Sequence, residues 1–334
     1  MLTVLIATYN GAKTLPEVLG TYCHLQAPPG GWKLVIVDNG STDATSEIIH
    51  SFMDRLPLTY LFEPLQGKNA ALNTGLSCVE GDLVVLTDDD VLPRFDWLVQ
   101  LRLAADTHPS FPMFGGRVVL RWEVPPEQWI LSCVKLGPVF SLTDPYWEEG
   151  PIIPGYVFGG NMAVRTRIFE MGYRFDSGIG PRGYWYAMGS ETELTRRLGK
   201  AGFDSWHCKE AVVEHMVRKS HMTPRWIFSR AIKFGRGMYR TEYQHAYPDH
   251  GKYLGVPGSL ILKVVRKSLG TVIAKVCGDR ARLFERRWAF NYALGQAIEA
   301  WLIHKERRSD GVKLGAGRSG RFVSSNKSPG AQGF

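Results

Sequence analysis

The residues that could do chemistry cluster at one point first. In "LVVLTDDDVLP" (Leu83–Pro93) an apolar run ends on Asp88, Asp89 and Asp90. Three adjacent carboxylates repel one another. They are either a charged turn after a strand or a place for something cationic. Asp88 and Asp90, two apart at a strand end, could bind a hard divalent cation through oxygen. A phosphatase-type aspartate nucleophile needs a Ser or Thr soon after the second Asp, and "DDDVLP" has none. Two further acids stand in "GSETEL" (Gly189–Leu194): Glu191 and Glu193. Residues two apart on a helix do not share a face, so only one should reach a site. A carboxylate there could serve as a general base, and a raised pKa would help it work near neutrality. "VVEHMV" ends an apolar run on His215, a metal ligand or a structural histidine.

The elements that must position these groups follow from periodicity. "TVLIAT" (Thr3–Thr8), "KLVIVD" (Lys33–Asp38), "LTYLFE" (Leu58–Glu63) and "DLVVLTDDD" are short apolar runs ending in polar residues, as buried parallel strands do. Between them lie helical spacings: Leu15, Val18, Leu19 and Tyr22; then Ile48, Ile49 and Phe52 after a capping Ser41 or Asp43; then "GKNAALNTGLSCV", entered through Gly67. This alternation predicts an α/β fold with a doubly wound, mainly parallel, Rossmann-like sheet. Ligands bind such sheets at the carboxyl ends of strands, where Thr8, Tyr9, Asn10, Asp38 and Asp88–Asp90 sit. Downstream, "GGRVVLRWEVP" reads as a strand, the Pro-, Trp- and Gly-rich stretch to Tyr156 as irregular, "SETELTRRLGKAG" as a helix, and "AVVEHMV" as a strand. From Pro224 the chain reads as helical and basic.

Composition bounds the rest. The 334 residues are 44% apolar and 22% charged, ordinary for a globular chain. The five scattered cysteines lack zinc spacing and read as reduced thiols of a cytoplasmic protein. The start "MLTVLIATYN" reads as a strand rather than a secretory signal. No stretch offers about 18 uncharged apolar residues, the length a membrane span needs. The net charge of +8 hides an asymmetry. Residues 1–195 carry 13 Lys/Arg against 22 Asp/Glu, and residues 196–334 carry 27 against 10. The second part therefore faces something anionic.

In "SLILKVVRKSLGTVIAKV" (Ser259–Val276), Ile261, Leu262, Val265, Leu269, Val272, Ile273 and Val276 fall on one helical arc, with Lys263, Arg266 and Lys267 beside it. That pattern fits an anionic membrane surface, or a helix packed on its own domain with a solvated basic edge. The segment after residue 307 lacks apolar mass and reads as a disordered tail.

The motifs "IATYNG", "VIVDNGSTDAT", "GKNAALNTG" and "VVLTDDDVLP" stand in fixed order, followed by "FGGNMAVRTRIFEMGYRFD", "GSETELTRRLGKAGF" and "VVEHMV". This set resembles the family 2 glycosyltransferases, over roughly residues 2–235. The resemblance implies a GT-A fold in residues 1–235, a basic helical extension at 236–307 and a tail at 308–334. It implies an inverting transferase that takes a sugar from a nucleotide-diphosphate donor, typically a UDP-sugar. The acceptor would be a saccharide or a lipid-linked molecule, at the cytoplasmic face of the membrane.

The resemblance also implies residue roles. Thr8, Tyr9, Asn10, Asp38, Lys68, Asp88 and Asp89 would bind the nucleotide sugar, with Asp38 accepting from the base. Asp90 and His215 would hold Mn²⁺ or Mg²⁺ against the two phosphates. Glu191 would be the base, where the family's pattern commonly has Asp preceded by another acid; here Ser190 precedes it. Gly160, Asn161 and Trp185 would meet the donor or acceptor sugar.

Two other classes compete. An oxidoreductase on a related sheet needs G-x-G-x-x-G after the first strand, and "TYNGAKTLPE" lacks it. A nucleic-acid-binding protein would account for the basic half but gives no reason for three aspartates at a strand end, so nucleic acid is not an expected partner.

Overall fold

The computed structural model describes residues 1–183, 185–243 and 252–316. Its first part alternates as expected: β1 (Leu2–Thr8), α1 (Leu15–Tyr22), β2 (Trp32–Asp38), α2 (Thr45–His50), β3 (Leu58–Phe62), α3 (Lys68–Gly75) and β4 (Leu83–Asp88). These strands pair in parallel in the order β3-β2-β1-β4. The chain winds outward from β1 to β3, then crosses to the other side of β1. The carboxyl ends of β1 and β4 therefore flank the point where strand order reverses, which is where such sheets leave a crevice.

Alternate side chains supply two cores. Leu2, Val4, Ile6, Leu83 and Val85 face one cluster, which α1 closes with Leu15, Val18, Leu19 and Tyr22. Leu5, Val84 and Leu86 face the other, which α3 closes with Ala71 and Leu72. Burial on both faces is why these strands read as continuous apolar runs.

After β4 the sheet becomes mixed. The elements are β5 (Val91–Pro93), α4 (Trp97–Thr107), β6 (Met113–Trp122), α5 (Gln128–Cys133), α6 (Leu136–Phe140), β7 (Gly150–Ile152), β8 (Met162–Arg165), α7 (Thr166–Glu170), α8 (Ser190–Lys200) and β9 (Ser205–Val217). β8 runs antiparallel between β4 and β6. β9 runs parallel to β6 and antiparallel to β5 and β7. The stretch expected to be irregular contains the short helices α5 and α6. Their Ile130, Val139 and Phe140 are buried against Ile227 and Phe228. Tertiary burial holds these turns where Pro138 and Gly137 weaken the local helical signal.

α9 (Pro224–Met238) begins with Pro224 at its first turn, and Thr223 Oγ1 accepts from the Trp226 amide at 3.3 Å. A small hairpin, β10 (Lys252–Tyr253) and β11 (Val256–Pro257), leads to α10 (Gly258–Val276) and α11 (Arg280–Ala316). Two close approaches and one ion cluster lock α9 to α11. A Cβ on Gly235 or Gly295 would overlap the backbone carbonyl of Tyr292 or Ile232 on the opposing helix. Glu299 is fully buried and accepts from Arg236 at 2.7 Å and Arg240 at 2.6 Å.

The boundary expected after residue 235 falls inside α9. α11 continues into the segment expected as a tail, and residues 317–334 lie outside the described residues. All five cysteines are free. Among the described residues no helix is long and apolar enough to cross a membrane.

Candidate active site

β1 and β4 end side by side, with Ala7 in register with Asp88. Thr8 donates from Oγ1 to Asp89 Oδ2, so the triplet is tied to the neighbouring strand. β5 then pairs with β9 so that His215 stands opposite Val91. The Met216 amide donates to the Asp90 carbonyl at 2.9 Å. A histidine far along the chain is thereby set beside the aspartates.

His215 Nδ1 lies 2.7 Å from the Phe140 carbonyl. A carbonyl only accepts, so Nδ1 carries a proton and Nε2 is turned toward the site. Nε2 is 3.7 Å from Asp90 Oδ2, too long for a hydrogen bond and open enough for an ion to touch both. Among the described residues no group of three or more His, Cys, Asp or Glu side chains could hold a metal ion. Asp90 and His215 form a pair.

Lys68 enters from the first turn of α3. Gly67, at φ 145°, precedes it, and its amide donates to Asn39 Oδ1 at 2.7 Å. Asn39 also donates to the carbonyls of Glu63 at 3.0 Å and Leu65 at 2.8 Å, so one amide side chain shapes the loop that presents Lys68. Lys68 Nζ lies 2.6 Å from Asp88 Oδ1 and 2.6 Å from Glu191 Oε1.

Glu191 projects from the first turn of α8. A Cβ on Gly159 would overlap its carboxyl group, so glycine is needed there for the acid to lie flat against the backbone. Glu193 is engaged elsewhere: it accepts from Arg197 at 2.7 and 2.9 Å. Of the two acids, Glu191 reaches the cavity.

The electrostatics follow from this crowding. Burial works against the Lys68 charge, yet Asp88 and Glu191 outweigh it and raise its pKa. Burial raises Asp88, with Lys68 opposing. Burial and then the Asp90 charge push Asp89 up to about 7. Burial would raise Asp90 too, but His215, Arg218 and Lys68 together outweigh it and lower the carboxyl. Burial would lower His215, and Asp90 reverses that. Glu191 corrects an expectation. Burial pushes it up, but the Lys68 charge and hydrogen bond win and hold it below the ordinary carboxylate value rather than above it.

These groups line a cavity of about 480 Å³, within the usual range for small-molecule sites. Thr8, Tyr9, Lys68, Asp88, Asp89, Asp90, Gly160, Glu191 and His215 all border it. Two expected residues lie beside it without lining it. Asn10 (φ 52°) accepts from the Thr42 amide at 2.8 Å. Asp38 is buried and accepts from the Ser41 amide at 2.9 Å and the Tyr60 hydroxyl at 3.2 Å.

Asn161 must be corrected. It is fully buried, accepts from Trp97 Nε1 at 2.8 Å, and donates to the carbonyls of Arg117 at 3.0 Å and Ala211 at 2.7 Å. Its amide pins strands together and does not line the cavity. Trp185 is also displaced: it borders a separate groove with Arg225 and Phe228, and Tyr186 lines the cavity instead.

The cavity also recruits Asn39, Arg182, Ser190 and Arg230. Arg230 Nε is buried with no hydrogen-bond partner among the described residues. A second cavity of about 130 Å³ shares Gly159, Glu191 and Arg230 with the first and continues past Pro138, Phe158, Phe234 and Met238. Glu191 and Arg230 thus stand where a polar chamber meets a more apolar one. Arg230 lies nearly two turns into the basic helix α9, whose start at Pro224 the sequence marks; the orientation of Asn39 and Arg182 depends on the fold.

Residues 3–134 match the family model Glycosyl transferase family 2. Validoxylamine A glucosyltransferase of Streptomyces hygroscopicus subsp. limoneus is 34% identical over 114 residues, which are 33% of this chain and 24% of that protein. Dolichyl-phosphate beta-glucosyltransferase ALG5A of Trichomonas vaginalis is 32% identical over 103 residues, 28% of this chain and 32% of that protein. The matched stretch spans about a quarter to a third of these relatives. Among solved structures, the mannosyltransferase PcManGT from Pyrobaculum calidifontis, in complex with GDP-Man and Mn²⁺, superposes with a TM-score of 0.53 at 20% identity, covering 94% of this chain and 80% of that one. The fold is GT-A.

Proposed function

We propose that this protein is an inverting glycosyltransferase that moves a sugar from a nucleotide-diphosphate donor to a saccharide or lipid-linked acceptor. One observation carries the reading: Lys68 joins Asp88, at the end of β4, to Glu191, at the rim of the second cavity, while Asp90 and His215 stand ready beside them. Donor-side and acceptor-side groups then share one seam. The family match, the named relatives and the GT-A fold support it.

In this reading Thr8, Tyr9 and Asp38 hold the nucleoside, with UDP the favoured form, and Asp88 and Asp89 hold the ribose. The diphosphate lies over Asp90 and His215. Lys68, Arg182 and Arg230 line the cavity alongside the carboxylates, while Asp90 and His215 stand together at one side of it. A hard divalent cation, Mn²⁺ or Mg²⁺, fits the donor set, being held by one or two protein ligands plus substrate phosphates. Imidazole favours Mn²⁺. Bound there, it would neutralise charge on the departing diphosphate.

The acceptor enters through the second cavity. Glu191 takes the proton of its hydroxyl as that oxygen attacks the anomeric carbon. The carbon–oxygen bond to the diphosphate breaks from the opposite side, so the configuration inverts. Lys68 and Arg230 face the negative charge that develops. A phosphate on a lipid-linked acceptor would give buried Arg230 Nε the partner it lacks, and would place the enzyme at the cytoplasmic face of the membrane.

The test is turnover of UDP-glucose, UDP-GlcNAc and GDP-mannose with Mn²⁺, with and without EDTA. Turnover of at least one donor that EDTA removes is the expected result. Binding of none of them would overturn the reading.

A further inference from the structure

α10 packs on α11 with one side only. Leu260 and Ala274 are buried there, and Lys263 Nζ reaches Gln296 Oε1 of α11 at 2.9 Å. At about 100° per residue, Leu262, Val265, Leu269, Val272, Ile273 and Val276 fall on the opposite side. Each of these six is at least 50% exposed, and Val276 is 82% exposed. Arg266 and Lys275, both exposed, flank this stripe on its two edges. Just before the helix, Tyr253 and Leu254 are also exposed, at 71% and 76%.

A helix on a water-facing surface normally carries polar residues on its outer side. Here the outer side is a continuous aliphatic row, of the kind that marks an interaction surface. Charge decides what covers it. α10 holds Lys263, Arg266, Lys267 and Lys275 and no acidic residue. Lys263 and Lys267 lie on the α11 side, so a second copy of this face would set Arg266 and Lys275 against the same two cations. Residues 317–334 are no better suited: they carry Arg318, Arg321 and Lys327, no acid, and few large apolar residues. An anionic lipid surface offers both apolar depth and negative charge.

We infer that α10 lies in the head-group region of an anionic bilayer, with its aliphatic stripe turned inward and Arg266 and Lys275 at the lipid phosphates. This docking stands on the exposed face alone and does not depend on the transfer reading.

Flotation of the full chain with vesicles tests it. Binding is expected to phosphatidylglycerol–phosphatidylcholine vesicles and to fall on the order of tenfold or more with phosphatidylcholine alone. Arg266→Ala with Lys275→Ala should weaken binding to anionic vesicles by on the order of tenfold at low salt. Leu262→Glu with Leu269→Glu and Ile273→Glu should abolish it. Circular dichroism checks the fold of that triple variant. The milder pair Leu262→Ser and Leu269→Ser, which should weaken binding several-fold, decides the matter if the triple variant unfolds. Absence of binding by the unaltered chain at low salt overturns the proposal, as does full binding by the serine pair. Light scattering showing a dimer that the serine pair dissociates would assign the face to a second copy instead.

Discussion

Lys68 Nζ and Glu191 Oε1 lie 2.6 Å apart, and the same ammonium holds Asp88 at 2.6 Å. α3 and α8 are far apart in the chain, yet one cation at their seam sets the charge of both Asp88 and Glu191. A phosphate arriving beside Lys68 would compete for that ammonium. Glu191 would then drift up toward the value its burial favours, becoming a stronger base as the donor settles.

Removing the ammonium tests this coupling. Lys68→Ala should lower kcat/KM by about 10²-fold. It should also shift the acid limb of the pH profile. In the intact protein Glu191 is held low, so it stays ionised to acidic pH and the limb lies below its ordinary value. Without Lys68 the burial effect is opposed only by a backbone hydrogen bond and the Arg230 charge, so the limb moves up. A limb that stays put in Lys68→Ala would show that another group controls it.

Glu191→Gln keeps the shape of the side chain and removes its basicity. Transfer should fall by about 10²- to 10⁴-fold while donor binding by thermal shift is retained. Glu193→Gln disturbs only the Arg197 pair and should leave transfer within a few-fold of normal. The reverse ranking would move the base to Glu193.

The aspartates should not be equivalent. Asp90→Ala and His215→Ala should each abolish the Mn²⁺-dependent part of donor binding, measured by thermal shift with and without EDTA. Asp89, whose carboxyl is already tied to Thr8, should matter less. Equal, mild effects at Asp89 and Asp90 would return the triplet to being a charged turn.

Stability depends on a different acid. Glu299 is fully buried between Arg236 and Arg240. Glu299→Ala leaves two guanidinium groups facing a hole and should cost about 3–5 kcal/mol in urea unfolding. A loss below about 1 kcal/mol would mean that the α9–α11 seam is held by packing alone.

Much of the sheet that carries the cavity was legible because local chemistry and position coincide there. The four parallel strands announce themselves as apolar runs, and Thr8, Asp88 and Lys68 sit where runs end or helices begin. The failures share a cause. Asn161 has the right residue type in a glycine-rich turn, but whether its amide faces a ligand or three buried partners depends on Trp97, Arg117 and Ala211, none of them near it in sequence. Trp185 and Tyr186 are adjacent, and only the path of the loop sends one into the cavity and the other outside.

The order of strands and helices, the acidic triplet at a strand end and the basic, apolar character of α10 can be read from local spacing and composition, because each is a property of neighbours in the chain. The tertiary structure decided which acid faces the cavity, that Lys68 holds Glu191 low rather than leaving it raised, and that the aliphatic side of α10 is turned away from α11. Those outcomes depend on burial and on distances between residues remote in the chain, and Coulomb energies change too steeply with separation and dielectric to be read from a linear order.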